Sequence, residues 1–514
     1  MPGQPHRTER RPASMPAAAS DHGQVGPVTR RTARNAAYMV AAELCGKAAT
    51  LLYTLLAARM LSQLDFGAFS YALSLATLLS IVPDWGFDVV VVQRSSARPD
   101  RLPRLRSLSL TWKTLIGVPV LTAGTLLASP SRPTTQARTA LCLLMAAAML
   151  DVYSNTNRAS AAALHRQGGT ALALAVQRSL TALLAVAALL GGFGLVGLTA
   201  AYLTGSVIGL AATSISLRRL GVAMRSGSLR LAELRELFVR TWWVGVGALV
   251  LMALFRVDMV ILGAIKGDEA VAAYAAAYRL LETMTLFTWT IARAVLPVMS
   301  ASADPVRVRR GVEQGIAVAA FVYVPFAVVT LLEASAVIRL LFGATYAGQA
   351  APALRWLAFA PLLFAVAYYG VAALLSQERS VGMLTAAAIA TAVNIGLNLA
   401  LVPSLAGTGA AVATTLSYLV ESIVALALCR PVTGRVGIWR PLLAPAVAGL
   451  AMAAVMASLR LQVVPEVALA GAAYLLVWFP VVHRAAPEQL EVLASLRTRR
   501  RPPSRPCRCP EDGP

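Results

Sequence analysis

The segment "LVLMALFRVDMVILGAIKGDEAVAAYAAAYRLLE" (residues 249–282) is the most informative part of the sequence. Its first part has the apolar composition of a membrane-spanning helix, yet Arg256 and Asp258 lie inside it. A charged side chain at the centre of a bilayer costs about 2.5–3.5 kcal/mol on insertion scales. Charges at that depth usually mark a functional site within a bundle of membrane helices.

The composition is that of a membrane protein with many spans. Hydrophobic residues make up 57% of the 514 residues and charged residues only 14%, whereas soluble domains have about 25% charged residues. The net charge of +22 would suggest nucleic acid in a soluble chain. Here the arginines are better explained as topology determinants, so we expect no nucleic-acid partner. The scattered histidines and cysteines form no ligand cluster, so we expect no metal and no cofactor.

The hydropathy pattern predicts an all-α polytopic protein with about fourteen transmembrane helices, each of about 20 residues. The predicted spans are 35–58, 66–92, 108–129, 138–155, 171–190, 194–216, 237–263, 270–298, 315–342, 352–375, 382–402, 405–429, 438–458 and 464–482. The polar tails, 1–34 and 483–514, predict a disordered arm and a basic tail.

The loop charges predict the orientation. Loops that share a side with the termini hold 18 Lys and Arg residues, whereas the opposite loops hold four, namely Arg59, Arg132, Lys266 and Arg460. Cytoplasmic loops are the positively charged ones. We therefore expect a multi-pass protein of the cell membrane with both termini in the cytoplasm.

An internal repeat predicts two bundles. Asp65 and Tyr71 open the second span as Asp268 and Tyr274 open the eighth, and glycines and small residues likewise open the sixth and twelfth spans. The paired spans lie six apart, so the halves share one orientation, as in a parallel repeat. This predicts six-helix bundles at 35–216 and 237–429, which face each other across a cavity. Two additional helices follow at 438–482.

Polar residues inside the spans are the candidate substrate-binding residues. Glu43 and Lys47 lie one turn apart in the first span, and Asp84 and Asp88 lie one turn apart in the second. Two neighbouring carboxylates need a cation, a proton or an arginine nearby. The alternative is that such groups only pair between helices. For Arg158 and Arg339, near the predicted interfaces, we expect snorkelling.

The eighth span carries a charged stripe. Arg279, Glu282 and Arg293 lie at offsets 0, 3 and 14, which places them on one helical face. The stripe contains two arginines and one glutamate, so at least one arginine lacks an acidic partner in its own helix. Such cations usually line a wet cavity or bind an anionic substrate. The planar guanidinium binds phosphate oxygens bidentately, which suits a pyrophosphate.

The sequence gives no sign of an enzyme. The Gly46-Lys47 pair lies within a span, lacks the upstream glycine of a phosphate-binding loop and is followed by Ala48. The predicted outer loops are too short for a catalytic domain. Both observations disfavour an ATPase and a membrane enzyme of polysaccharide assembly.

Three stretches resemble polysaccharide flippases of the multidrug/oligosaccharidyl-lipid/polysaccharide exporter superfamily. They are "ARMLSQLDFGAFSYALSLATLLSIVPDWGFDVVVVQR" (58–94), "FRVDMVILGAIKGDEAVAAYAAAYRLLE" (255–282) and "NIGLNLALVPSLAGTGAAVATTLSYLVE" (394–421). The resemblance implies two lobes with a central cationic cavity and transport by alternating access. It implies as cargo an undecaprenyl-pyrophosphate-linked oligosaccharide, whose prenyl tail stays in the lipid. Membrane lipids and other polysaccharide-assembly proteins are the implied further partners.

The resemblance leaves two questions open. The same fold carries other cargoes, such as the peptidoglycan lipid precursor or cationic drugs, although cavity arginines disfavour a cationic drug. Arg256 and Asp258 are about 200° apart around a helix, so only one of them can face the cavity. The sequence does not decide which.

Overall fold

The computed structural model describes residues 46, 48–222, 231–301, 304–459 and 462–485, and all regular structure in these ranges is helical. Glu43, Lys47 and the two polar tails, apart from 483–485, lie outside the described residues. The α-helices are α1 (described over Ala48–Met60), α2 (Gln63–Asp84), α3 (Phe87–Ala97), α4 (Leu102–Ala128), α5 (Thr135–Ala163), α6 (Gly168–Leu190), α7 (Gly194–Arg219), α8 (Leu231–Lys266), α9 (Asp268–Ser300), α10 (Pro305–Leu332), α11 (Ala334–Phe342), α12 (Ala344–Leu357), α13 (Ala360–Ser376), α14 (Ser380–Thr433), α15 (Trp439–Ser458) and α16 (Val463–Ala485).

The helices fall on the predicted spans. Within the described ranges, eleven helical segments are long and apolar enough to cross a membrane. One of them, α14, has 54 residues and breaks at Ala406, whose φ of 46° is not helical, so that it supplies the eleventh and twelfth predicted spans. The remaining predicted spans fall on α1 and α9. The prediction of an all-α protein with many spans is confirmed.

The helices pack in two sets that meet through α2. Helices α2 to α7 pack among themselves, and so do α8 to α14, while α15 packs on α10 and α16 on α15. Helix α2 packs on both α8 and α9. Because α2 and α9 are the helices that the repeat relates, they meet as a parallel repeat requires. The predicted bundle boundaries themselves stay a prediction.

Two glycines allow α2 to approach the second set closely. A Cβ atom at Gly67 would lie 1.7 Å from the carbonyl oxygen of Asp268, and one at Gly263 would lie 2.2 Å from a ring carbon of Tyr71. A backbone oxygen cannot rotate away as a side chain can. Glycine is therefore required at residue 67 for this contact.

Charged residues of the predicted outer loops also connect the two sets of helices, at the end where α2 packs on the start of α9. Arg132, in the α4–α5 connection, pairs with Asp268 at the start of α9, and both side chains are buried. The guanidinium also lies 3.9 Å from the ring centroid of Tyr71, a favourable cation–π contact. Arg59 donates hydrogen bonds to the carbonyls of Leu340 and Leu341 at the end of α11. The two sets of helices are thus joined at the predicted outer side.

We expect Gly67→Ala to open this end. The Ser74 hydroxyl contacts the Met259 sulfur across the α2–α8 interface, at 3.1 Å, and Ser74 is buried. In an otherwise cysteine-free chain, Ser74→Cys should react slowly with an impermeant maleimide, and Gly67→Ala should raise that rate several-fold. Gly124→Ala is the matched control, because its new methyl meets only side-chain atoms, of Leu79 and Met145, and no backbone atom. Equal rates in the two variants would contradict the assignment.

Candidate functional site

A central cavity of about 540 Å³ lies between the two sets of helices. Its lining residues come from α1, α2, α5, α6, α7, α8 and α9. On α2 and α9 the lining residues follow the segments that pack at the predicted outer side. The cavity therefore lies in the middle of the protein and toward its predicted cytoplasmic side, away from the contacts at the predicted outer side.

The cavity carries an excess of positive charge. Its acidic lining residues are Asp151 and Glu282. Its basic lining residues are twice as many: Arg158, Arg178, Arg256 and Arg279. In a partly desolvated space, this excess favours an anionic group over a cationic one.

Glu282 lies between two of these arginines. Its Oε1 atom is 2.6 Å from Arg256 Nη2 and its Oε2 atom is 2.7 Å from Arg279 Nη1. The three side chains keep 11–19% of their surface exposed. Each guanidinium has five N–H donors, so one contact to Glu282 leaves donors for a phosphate or a sugar acid.

The opposite wall comes from α5 and α6. The Gln177 amide donates to Asp151 Oδ1 at 2.7 Å, and Arg158 donates to Asn155 Oδ1. Arg178 has no carboxylate within ion-pair distance among the residues the structure describes. This wall therefore presents both amide groups and a guanidinium that can bind an anion.

The structure decides between Arg256 and Asp258. Arg256 lines the cavity. Asp258 is fully buried on the other side of α8, where it accepts hydrogen bonds from the Tyr274 and Thr414 hydroxyls and from the Met259 N–H. The separation of about 200° predicted that the two would diverge.

The structure places Asp84 and Asp88 outside the cavity lining, where both carboxylates pair with Lys113 of α4 and keep 26% and 15% of their side-chain surface exposed. Lys113 is fully buried there and lies 2.6 Å from Asp84 Oδ1 and 2.9 Å from Asp88 Oδ2. The chain breaks at Trp85 and Gly86, both with positive φ, which turns the two carboxylates toward one ammonium. The expected nearby cation is therefore this lysine.

Arg293 is also placed away from the cavity lining, where its side chain is exposed. It shares a helical face with Arg279, but 14 residues of helix span about 21 Å. In this structure the cavity lining includes Arg279 and not Arg293, and a role of Arg293 in substrate binding stays a prediction. Glu43 and Lys47 lie outside the described residues, so their role stays a prediction.

Two cavity residues escaped the sequence analysis. Gln177 and Arg178 lie in the middle of the apolar helix α6. The signal was a polar pair inside a span, without a partner one turn away. Asp151, Asn155 and Arg158 of α5 all line the cavity, so Arg158, for which we expected snorkelling, contributes to the lining.

Comparisons with known proteins agree with this architecture. The chain matches the model of the family described as "Polysaccharide biosynthesis protein" over residues 32–303 and that of the "Lipid II flippase MurJ" over residues 169–478. No curated protein sequence matches the chain.

Solved structures share the fold at low sequence identity. An inward closed structure of the lipid II flippase MurJ is 13% identical, with a TM-score of 0.72 over 90% of this chain and 99% of that one. An inward-facing multidrug resistance transporter of the MATE family is 17% identical, with a TM-score of 0.62 over 75% and 94%. A MOP superfamily transporter from Pyrococcus furiosus, whose title reports a binding pocket of reverse polarity, is 18% identical, with a TM-score of 0.56 over 79% and 96%.

Each of the two family models covers more than half of the chain, and the fold neighbours belong to the same group of transporters. The many apolar spans and the charged central cavity are the features expected of such a protein. The chain is a multi-pass membrane protein that belongs to the polysaccharide biosynthesis and MurJ flippase families.

Proposed function

We propose that this protein is a flippase that moves an undecaprenyl-pyrophosphate-linked oligosaccharide across the cytoplasmic membrane by alternating access, for the synthesis of a surface polysaccharide. The observation that supports this cargo is the central cavity, with four arginines against two carboxylates. Arginine forks bind phosphate oxygens bidentately. The protein acts in this proposal as a transporter, without catalysing a reaction.

The contact between the two sets of helices at the predicted outer side fits one state of an alternating-access cycle. In the structure the cavity lies below the Arg132–Asp268 pair and the α2–α9 contact. The headgroup would enter the cavity from the cytoplasm while the prenyl tail stays in the lipid. Separation of the outer contacts would then release the headgroup on the other side.

A second cargo, the lipid-linked peptidoglycan precursor, is favoured by the match to the lipid II flippase family over residues 169–478. It shares the prenyl pyrophosphate with the first cargo and differs in the sugars. A cationic drug is disfavoured, because the arginines of the cavity outnumber its carboxylates.

Reconstitution distinguishes these cargoes. We would place the purified protein in proteoliposomes that contain a fluorescent polyprenyl-pyrophosphate oligosaccharide or the peptidoglycan precursor, and follow the accessibility of the label. We expect faster translocation of the oligosaccharide lipid than of the same lipid with a dephosphorylated linker. Equal rates for these two lipids would contradict recognition of the pyrophosphate, and preference for the precursor would favour the second cargo.

The proposed orientation has its own test. Reporter enzymes fused after Arg230 and Arg435 should report the cytoplasm, and those fused after Lys266 and Arg460 should report the outer side. The reason is the excess of Lys and Arg in one set of loops. If reporters after Arg230 and Lys266 lay on one side, α8 would not span the membrane and the topology would be wrong.

A further inference from the structure

A second pocket of about 410 Å³, called here the outer pocket, lies at the predicted outer side. One wall comes from residues 58–63, where α1 ends and α2 begins. The other wall comes from residues 339–346, where α11 ends and α12 begins. The two walls belong to the two different sets of helices, so the pocket depends on their contact at this end.

The outer pocket is positively charged. Arg59 and Arg339 line it, and its lining residues, as the structure describes them, include neither Asp nor Glu. The Arg59 Nε atom donates to the carbonyl of Leu341 at 3.0 Å and Nη2 donates to the carbonyl of Leu340, so three of the five N–H groups of the guanidinium are left for another acceptor. Arg339 has no carboxylate within ion-pair distance in the described ranges.

Two helix N-termini meet in the same pocket. Ser62 caps α2, because its Oγ atom accepts from the Asp65 N–H at 3.1 Å and donates to the Asp65 carboxylate at 2.8 Å, so the uncapped end is that of α12, whose first residue follows Gly343. Gly343 provides no side-chain cap, so the first N–H groups of α12 have no capping side chain. Free N–H groups and the positive end of the helix dipole attract anions.

The outer pocket also contains donors without a partner. Tyr346 is 2% exposed, and its hydroxyl has no hydrogen-bond partner. The Nε2 atom of Gln63 is buried and equally unpaired. Buried donors without an acceptor are rare and cost free energy. The protein provides no acceptor for these two donors, so a bound ligand that accepts hydrogen bonds would fit this pocket.

We propose that the outer pocket is a binding site for a phosphate group, held by Arg339, Arg59 and the Tyr346 hydroxyl. Phosphate satisfies all three observations, because it is anionic, accepts several hydrogen bonds and suits helix N-termini. The site is separate from the central cavity and does not depend on the cargo proposed for it. Since its walls come from both sets of helices, a bound phosphate favours the state in which the outer ends are joined.

The probe is inorganic pyrophosphate, titrated calorimetrically into full-length protein in phosphatidylcholine nanodiscs. The chain carries Arg279→Gln in these experiments, which weakens binding in the central cavity. Arg339→Gln should raise the Kd of the remaining site about ten- to 150-fold, the range for one charge-assisted hydrogen bond. Arg355→Gln is the matched control, because Arg355 is exposed on α12 but does not line the pocket.

The Tyr346→Phe variant gives a second measurement. We expect it to fold as the wild type does, because the substitution removes a hydroxyl that makes no hydrogen bond in the protein. We expect a Kd about two- to tenfold higher. If both variants bind pyrophosphate as tightly as the Arg355→Gln control does, the proposal is wrong. If the wild-type protein failed to translocate either lipid-linked substrate while pyrophosphate still bound at this site, the proposed function would be contradicted and this inference would remain intact.

Nanodiscs with phosphatidylglycerol identify the source of the phosphate. If the anionic lipid abolishes the pyrophosphate signal of the Arg355→Gln control, which binds pyrophosphate in phosphatidylcholine nanodiscs, a lipid headgroup occupies the pocket and is the source of the phosphate. If the pyrophosphate signal persists, it is a free phosphate. Either result supports a phosphate site, and the variants above decide whether the site exists.

Discussion

Arg256→Ala and Arg279→Ala should each reduce export of the lipid-linked substrate to a small fraction of the wild-type rate at equal membrane abundance. Both guanidiniums line the central cavity and share Glu282. One charge-assisted contact to a pyrophosphate is worth about 1.5–3 kcal/mol, so its loss weakens substrate binding about ten- to 150-fold. The measurement is translocation in proteoliposomes, with membrane abundance determined in parallel.

Lysine substitution separates charge from geometry at the same residue. Arg279→Lys keeps the charge but loses the fork, so activity near that of the alanine variant indicates bidentate binding. Arg293→Ala is the matched control, since it removes a charge from the same helix outside the cavity lining. We expect its export to stay near wild type. An equal loss in Arg293→Ala, or a fall in abundance that parallels the loss of export, would contradict the cavity assignment.

Lys113→Met should remove most of the folded protein from the membrane. The ammonium lies among four oxygen atoms, of Asp84 (2.6 Å), Asp88 (2.9 Å), Thr156 (2.7 Å) and the Val152 carbonyl (3.3 Å). Without it, two partly buried carboxylates face each other with no cation between them. Removal of one partner of a buried ion pair costs about 3–5 kcal/mol, a large part of the total stability of about 5–15 kcal/mol.

Neutralising Asp84 and Asp88 tests whether their unpaired carboxylates are the cause of this loss. The triple variant Lys113→Met/Asp84→Asn/Asp88→Asn should recover abundance, because a cluster without net charge no longer leaves a buried carboxylate unpaired. Lys266→Met removes an exposed lysine and should change little. Abundance and thermal unfolding in detergent are the measurements. No recovery in the triple variant would show that Lys113 acts through packing rather than through charge.

The sequence determined the class of protein and its spans. Apolar runs of about 20 residues have one stable form in a bilayer, because every backbone polar group must be satisfied within the helix. The predicted span ranges therefore fell on helices without any tertiary information, as at the break at Ala406 between the eleventh and twelfth spans. The same local reasoning separated Arg256 from Asp258, since helical geometry alone sets their angle.

Only the tertiary structure decided which polar residues meet. Asp84 and Asp88 looked like substrate ligands, but the backbone break at Trp85 and Gly86 directs them to Lys113 on another helix. Arg279 and Arg293 share a helical face, but only Arg279 lies at the depth of the cavity. The only local signal of Arg178 was its place beside Gln177 inside an apolar span, because the residues that surround it in the cavity come from distant parts of the chain. A side-chain pattern fixes the face of a helix, whereas the depth and the partners of each residue depend on how helices far apart in sequence pack together.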